Sequence, residues 1–215
     1  MQLEFLFVIV ILILSIVIHE VSHGYAAQML GDPTARLAGR LTLNPLKHLD
    51  PVGSVLIPAF LVLTGAQILF GWAKPVPYNP YNLSNQRWGE AFVAGAGPAT
   101  NLLIALVFGL FIRIGLAFDV ASAPLVELGS FIVYINILLA LFNLIPIPPL
   151  DGSKVLAFLL PTRLALLFND FQILMARGGL IAVFGFLFLF IFFLWPFFSV
   201  FVSLIFTLLT GISFR

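Results

Sequence analysis

An apolar run from Leu3 to Leu30 constrains this chain more than any other feature, because its second half reads "VIHEVSHGYAA". A helix needs about 20 apolar residues to cross roughly 30 Å of hydrocarbon, and this run supplies them. Ionisable side chains at that depth are costly enough that function is the default expectation. Two of the chain's three histidines, His19 and His23, flank one of its four glutamates, Glu20, inside a segment otherwise built of Ile, Leu and Val. The run has no basic leading segment and no small-residue cleavage site, so it reads as a retained helix rather than a signal peptide.

The rest of the chain agrees with a membrane setting. Of 215 residues, 61% are hydrophobic and 9% charged, too few polar groups to cover a soluble domain of this size. The absence of cysteine excludes disulfides and thiolate metal sites. Basic clusters are absent at a net charge of +1, so nucleic acid is not an expected partner. The expected fold is an all-α polytopic helical bundle, an integral multi-pass protein surrounded by the lipid bilayer. It is read as a single intramembrane domain over 1–215, with a catalytic core at about 3–160 and C-terminal hydrophobic helices at about 179–212.

Further apolar runs long enough to cross lie at about 91–118 and 125–144. The run 179–212 suits one steeply tilted helix or two short ones broken near Pro196, and two are favoured. Residues 52–70 are also apolar, but Pro58, Pro51, Gly53 and Gly65 loosen them. Arg36, Arg40, Lys47, Lys74 and Arg87 all fall between the first helix and the one at 91, which puts both flanks of 52–70 on the cytoplasmic side. The segment then reads as re-entrant, with a full crossing as its competitor. In "RLAGRLTLNP", Leu37, Gly39, Leu41 and Leu43 alternate with Ala38, Arg40, Thr42 and Asn44, the period of a half-buried strand, and predict a short membrane-associated β-hairpin. An unwound substrate could pair with such an edge. Pro75, Pro77 and Pro80 in "GWAKPVPYNPYNL" forbid a regular helix and leave an extended path.

The spacing of His19 and His23 stacks both imidazoles on one helix face, where they can bind one divalent ion, and leaves Glu20 to take a proton from water activated there. H-E-x-x-H is a zinc-hydrolase signature. Two histidines need a further protein ligand. Spacing leaves two candidates open: Asp151 in "NLIPIPPLDG", which could equally be a turn or N-cap residue ahead of a helix near Lys154, and His48 in "NPLKHLDP".

"HEVSH", "AGPATN" (96–101) and "NLIPIPPLDG" (143–152), in this order and each at a membrane-helix end, resemble the site-2 protease family of intramembrane zinc metalloproteases. "GRLTLNPLKHLDPVGS" and "FGWAKPVPYNPYNL" resemble the compact bacterial and archaeal members, without a PDZ-like or CBS-like insert. The resemblance implies that His19, His23 and Asp151 ligate one zinc ion and that Glu20 activates the water. It implies membrane-protein substrates and a prokaryotic cell membrane, and the basic residues between 36 and 87 put the active site toward the cytoplasm; a homo-oligomer or a regulatory membrane partner is compatible with this reading. For the three motifs to meet at one depth, residues 31–90 must begin and end on the cytoplasmic side, as the re-entrant reading requires.

Asn143 and Asn101 are candidate substrate- or oxyanion-positioning residues, since an amide N–H can donate to a developing oxyanion. Interhelical bonding is the simpler role for Asn101. For Asn143 the family pattern, which sets it beside the ligand aspartate, favours the positioning role. A metal-ion transporter or metal-dependent scaffold is the alternative function, in which the same ligands line an ion path and no bond is cut. Glu20 favours the enzyme, because it sits beside the site without being needed as a ligand.

Overall fold

Helix α1, Gln2–Met29, turns its apolar length into one continuous span and carries His19, Glu20 and His23 near its C-terminal end. The structure, a computed structural model, describes residues 2–57, 60, 63 and 72–213. These form two compact units, Met1–Gly89 and Glu90–Arg215, each described by itself below.

In the first unit a one-turn helix, α2 (Thr34–Leu37), follows α1. Gly39, at φ 63°, ends it in the left-handed conformation that glycine adopts without steric cost. The Gly39 and Arg40 N–H groups donate to the carbonyls of Arg36 and Ala35, at 2.9 and 3.0 Å. The expected β-hairpin is therefore corrected: no strand occurs among the described residues, and 34–40 curl where an edge was expected. The alternation of Leu37 to Leu43 misled because Gly39 reverses the chain inside it. Leu37 is left exposed, whereas Leu41 reaches toward Gly24 of α1. With the strand goes the edge on which a substrate could have paired.

Asp50 caps a π-helical turn, Pro51–Leu56, by accepting the N–H groups of Val52 and Gly53. Most of the 52–70 segment read as re-entrant (58–59, 61–62, 64–70) lies outside the described residues. Gly53 and Ser54 near its start and Trp72 just beyond it are described, and they are bonded to each other. The Trp72 N–H donates to the Gly53 carbonyl at 3.2 Å, and the Ser54 hydroxyl donates to the Trp72 carbonyl at 2.7 Å. Residues 72–79 then run extended, as their prolines require, into a 3-10 turn at Pro80–Asn82.

The second unit packs α3 (Gln86–Ala117, from Glu90 onward), α4 (Ala123–Asn143), α5 (Asp151–Leu159), α6 (Thr162–Leu189) and α7 (Trp195–Thr210). Its core joins Ala105 and Ile112 of α3, Val133 and Ile137 of α4, and Val202 and Phe206 of α7. Lipid is as apolar as these side chains, so van der Waals contact and close approach hold them together. At Gly109 a Cβ would stand 2.8 Å from that of Leu209. Pro98 lies inside α3 and not in its first turn.

Two short C-terminal helices were expected around Pro196. Helical backbone instead runs from Ile181 to Thr210, long enough for one crossing, with a π-helical turn at Phe190–Leu194 just ahead of that proline. Such a turn accommodates a residue that has no N–H and whose ring crowds the preceding turn. The break falls earlier, at Gly179 (φ 52°, ψ −133°). Phe186, Phe190 and Phe206 are buried, whereas Phe192, Phe193, Phe197 and Phe201 are exposed on an apolar surface suited to lipid.

Four helices among the described residues are long and apolar enough to cross a membrane: Leu6–Met29, Trp88–Ala117, Ala123–Asn143 and Ile181–Thr210.

Candidate metal centre

His19 and His23 stand four positions apart on the helix, which brings their rings edge to face with centroids 4.7 Å apart. Their Nε2 atoms face each other at 3.0 Å, and both side chains are buried. Two nitrogens bound at about 2.0–2.1 Å to a tetrahedral ion stand roughly 3.3 Å from each other. The pair thus needs only a small outward movement to share one zinc, and neutral imidazole suits that ion.

Glu20 projects beside them, and its Oε2 accepts the Val76 N–H at 2.8 Å. The extended segment that carries Val76 lies directly against α1. A Cβ at Gly24 would meet Leu41 Cδ2 at 2.5 Å, Val76 Cγ1 at 2.8 Å and Ala35 Cβ at 3.1 Å. Glycine here, one residue beyond His23, lets the segment approach the helix face.

His48, the rival ligand, is buried in its own loop with Nε2 on the Thr42 carbonyl at 2.9 Å.

In the second unit, Asp151 is the first residue of α5, not a cap ahead of a helix near Lys154. Gly152 follows because the turn is tight. A Cβ there would collide with the Leu144 carbonyl oxygen at the end of α4. Asn143, the last residue of α4, donates its amide back to the Leu139 carbonyl at 2.9 Å. Asn101 is fully buried and donates to the Asn136 side-chain carbonyl at 2.7 Å, and Asn136 donates in turn to the Ile132 carbonyl at 2.9 Å. Asn101 therefore has the place of a clasp between α3 and α4.

Sequence reasoning missed two ionisable residues around Val76. Arg40 is buried and donates from Nη2 to the carbonyls of Lys74 and Pro75, at 2.7 and 3.3 Å. Asp32 is fully buried and accepts the N–H groups of Asn79 and Thr34, the Thr34 hydroxyl and the Asn82 amide. Burial alone would raise its carboxyl, but the bonds from Thr34, Asn82 and Asn79 outweigh it and hold it below the ordinary value of 3.8. No pattern of spacing announces them, because both act on backbone groups tens of residues away.

A membrane-spanning helix that carries H-E-x-x-H, with its two imidazoles aimed at one point, defines a membrane-embedded zinc metalloprotease. The chain belongs to peptidase family M50, the site-2 protease family, whose sequence profile matches residues 7–120 and 113–186. YwhC of Bacillus subtilis, named as a zinc metalloprotease, is 40% identical over 161 residues, covering 72% of this chain and 69% of YwhC. Rip2 of Mycolicibacterium smegmatis and of Mycobacterium tuberculosis, likewise named as zinc metalloproteases, are 32% and 31% identical over 71% of this chain. The chain spans 56% of the length of each Rip2. No solved structure matches the chain.

Proposed function

We propose that this chain is an intramembrane endopeptidase that cuts membrane-anchored proteins within or near the bilayer, with one zinc held by His19, His23 and Asp151. The observation that carries the reading is the pair of facing imidazole nitrogens, 3.0 Å apart on a membrane-spanning helix with Glu20 beside them. Support for Asp151 as the third ligand comes from its type and its setting. It is a carboxylate at the head of a helix, in a proline-broken segment matching the family's N-x-x-P and L-D-G pattern, and Gly152 fixes that turn against the end of α4.

Zinc, when bound, polarises the scissile carbonyl and brings the pKa of its water to about 7. Glu20 then accepts a proton from the attacking water and returns it to the departing amine. Its side chain is not needed as a ligand and already holds an N–H donor, Val76, on Oε2, so it can face both water and a peptide nitrogen. Asn143, eight positions before Asp151, is suited to donate its amide to the developing oxyanion or to the substrate backbone after releasing Leu139.

Gly53 and Trp72 are bonded to each other and so stand on one side of the membrane, which supports re-entry of the segment between them over a crossing. With Arg36, Arg40, Lys47 and Lys74 flanking it, that side is the cytoplasmic face of a prokaryotic cell membrane, and water reaches the centre from there.

The test uses the full chain in vesicles with a tagged single-span membrane protein. Wild type should cut the tag in a chelator-sensitive manner, and Glu20→Gln should bind zinc and not cut. Zinc flux across the vesicle wall without cleavage by either form would instead establish the transporter.

A further inference from the structure

We infer that Arg40 and Asp32 are positioning residues for the reaction, acting through residues 74–79, which they stretch across the zinc helix so that the Val76 N–H holds the Glu20 carboxylate. The inference rests on the role proposed for Glu20.

The sequence "KPVPYN" explains why one contact matters. Pro75 and Pro77 have no N–H, so within Pro75–Val76–Pro77 the Val76 amide is the one donor. It goes to Glu20 Oε2 at 2.8 Å. Two buried ionisable groups hold the backbone on either side. Before Val76, Arg40 grips the Lys74 and Pro75 carbonyls. After it, Asp32 grips the Asn79 N–H at 2.7 Å. A cation set on carbonyls and an anion set on an amide give each end of the stretch a charge-assisted bond, stronger than a neutral one. Burying such groups is costly, and here neither is bonded to the other's charge. The Val76 side chain meanwhile rests over Gly24, so the stretch is fixed in height as well as along its length. A general base must be held close to its productive geometry, and a misplacement of about 1 Å can lower the rate a hundredfold. Glu20 hangs from α1 by flexible torsions, and the Val76 amide gives its carboxylate a second point of attachment.

Arg40→Ala and Asp32→Ala, each in the zinc-loaded full chain in vesicles, test this by three readouts. The expected result is unchanged zinc content, backbone amide exchange over 74–79 faster by more than about tenfold, and kcat lower by about ten- to a hundredfold at nearly constant KM. Arg40→Lys, which keeps a cation and can reach a carbonyl, should restore part of the rate. Gly24→Ala, whose Cβ would meet Leu41 and Val76 and push the stretch off the helix face, should reproduce the loss of kcat.

Faster exchange with an unchanged kcat would overturn the inference, as would unchanged exchange in both alanine variants. Loss of zinc in step with activity would make Arg40 and Asp32 supports of the metal turn, which also overturns it. Should either alanine variant fail to fold, Arg40→Lys and Gly24→Ala decide by the same readouts. If Glu20→Gln abolishes cleavage while Arg40→Ala cuts at the wild-type rate, this inference alone fails. If wild type cuts nothing, the protease reading fails and this inference falls with it.

Discussion

Each unit of this protein buries a pair of polar side chains in membrane-spanning helices, and the two pairs are built on opposite principles. In the second unit Asn101 donates to Asn136, which donates to the Ile132 carbonyl, so each amide meets its complement. In the first unit His19 and His23 point like atoms at each other, Nε2 to Nε2, across 3.0 Å. Neutral imidazoles in unlike tautomers can share a single N–H···N bond at that distance, whereas two lone pairs converging on a cation gain far more. A complementary pair is structure complete in itself; a converging pair is half of a site.

His19→Ala or His23→Ala should produce the largest effect. Bound zinc and cleavage should both disappear, by more than the roughly 10- to 100-fold that outer-shell changes cost, as read by metal analysis and by tag release. Glu20→Gln comes next and separates the two functions of the first pair. The zinc content should be that of wild type while kcat falls by about 10²- to 10⁴-fold. Asn101→Ala should be milder and of another kind. It should lower stability in detergent unfolding by about 1–2 kcal/mol and leave zinc unchanged, and Asn101→Leu with Asn136→Leu should recover much of that. If Asn101→Ala emptied the metal site, the contrast between the pairs would collapse.

The smallest effect concerns pH. Asp32 is held below 3.8 in the folded chain, so the stability it gives is complete above that value and is lost only as the pH falls through the lower folded one. Protection of the Asn79 amide, corrected for intrinsic exchange, should therefore stay flat from pH 7 to about 4 and decline below.

The parts that were legible in the sequence were those governed by period and length. The spans at about 91–118 and 125–144 appear as Gln86–Ala117 and Ala123–Asn143, because a run of apolar residues in lipid has few forms besides helix. His19, Glu20 and His23 were legible because i, i+4 on a helix is geometry. The strand at 37–43 was misread because alternation over so few residues is weak beside one glycine at positive φ. Arg40 and Asp32 were overlooked because the bonds that place them go to the Lys74 and Pro75 carbonyls, the Asn79 N–H and the Asn82 amide, and partners tens of residues away leave no trace in a local pattern. Pro196 was expected to end a helix, and a π-helical turn carries the backbone past it.

Zinc measured per chain by mass spectrometry in purified wild type and in Asp151→Ala tests the central claim most directly. One zinc per wild-type chain, with most of it lost from Asp151→Ala under the same dialysis, is the predicted result. Metal-free wild type, or an Asp151→Ala variant that keeps its zinc as tightly, would contradict it.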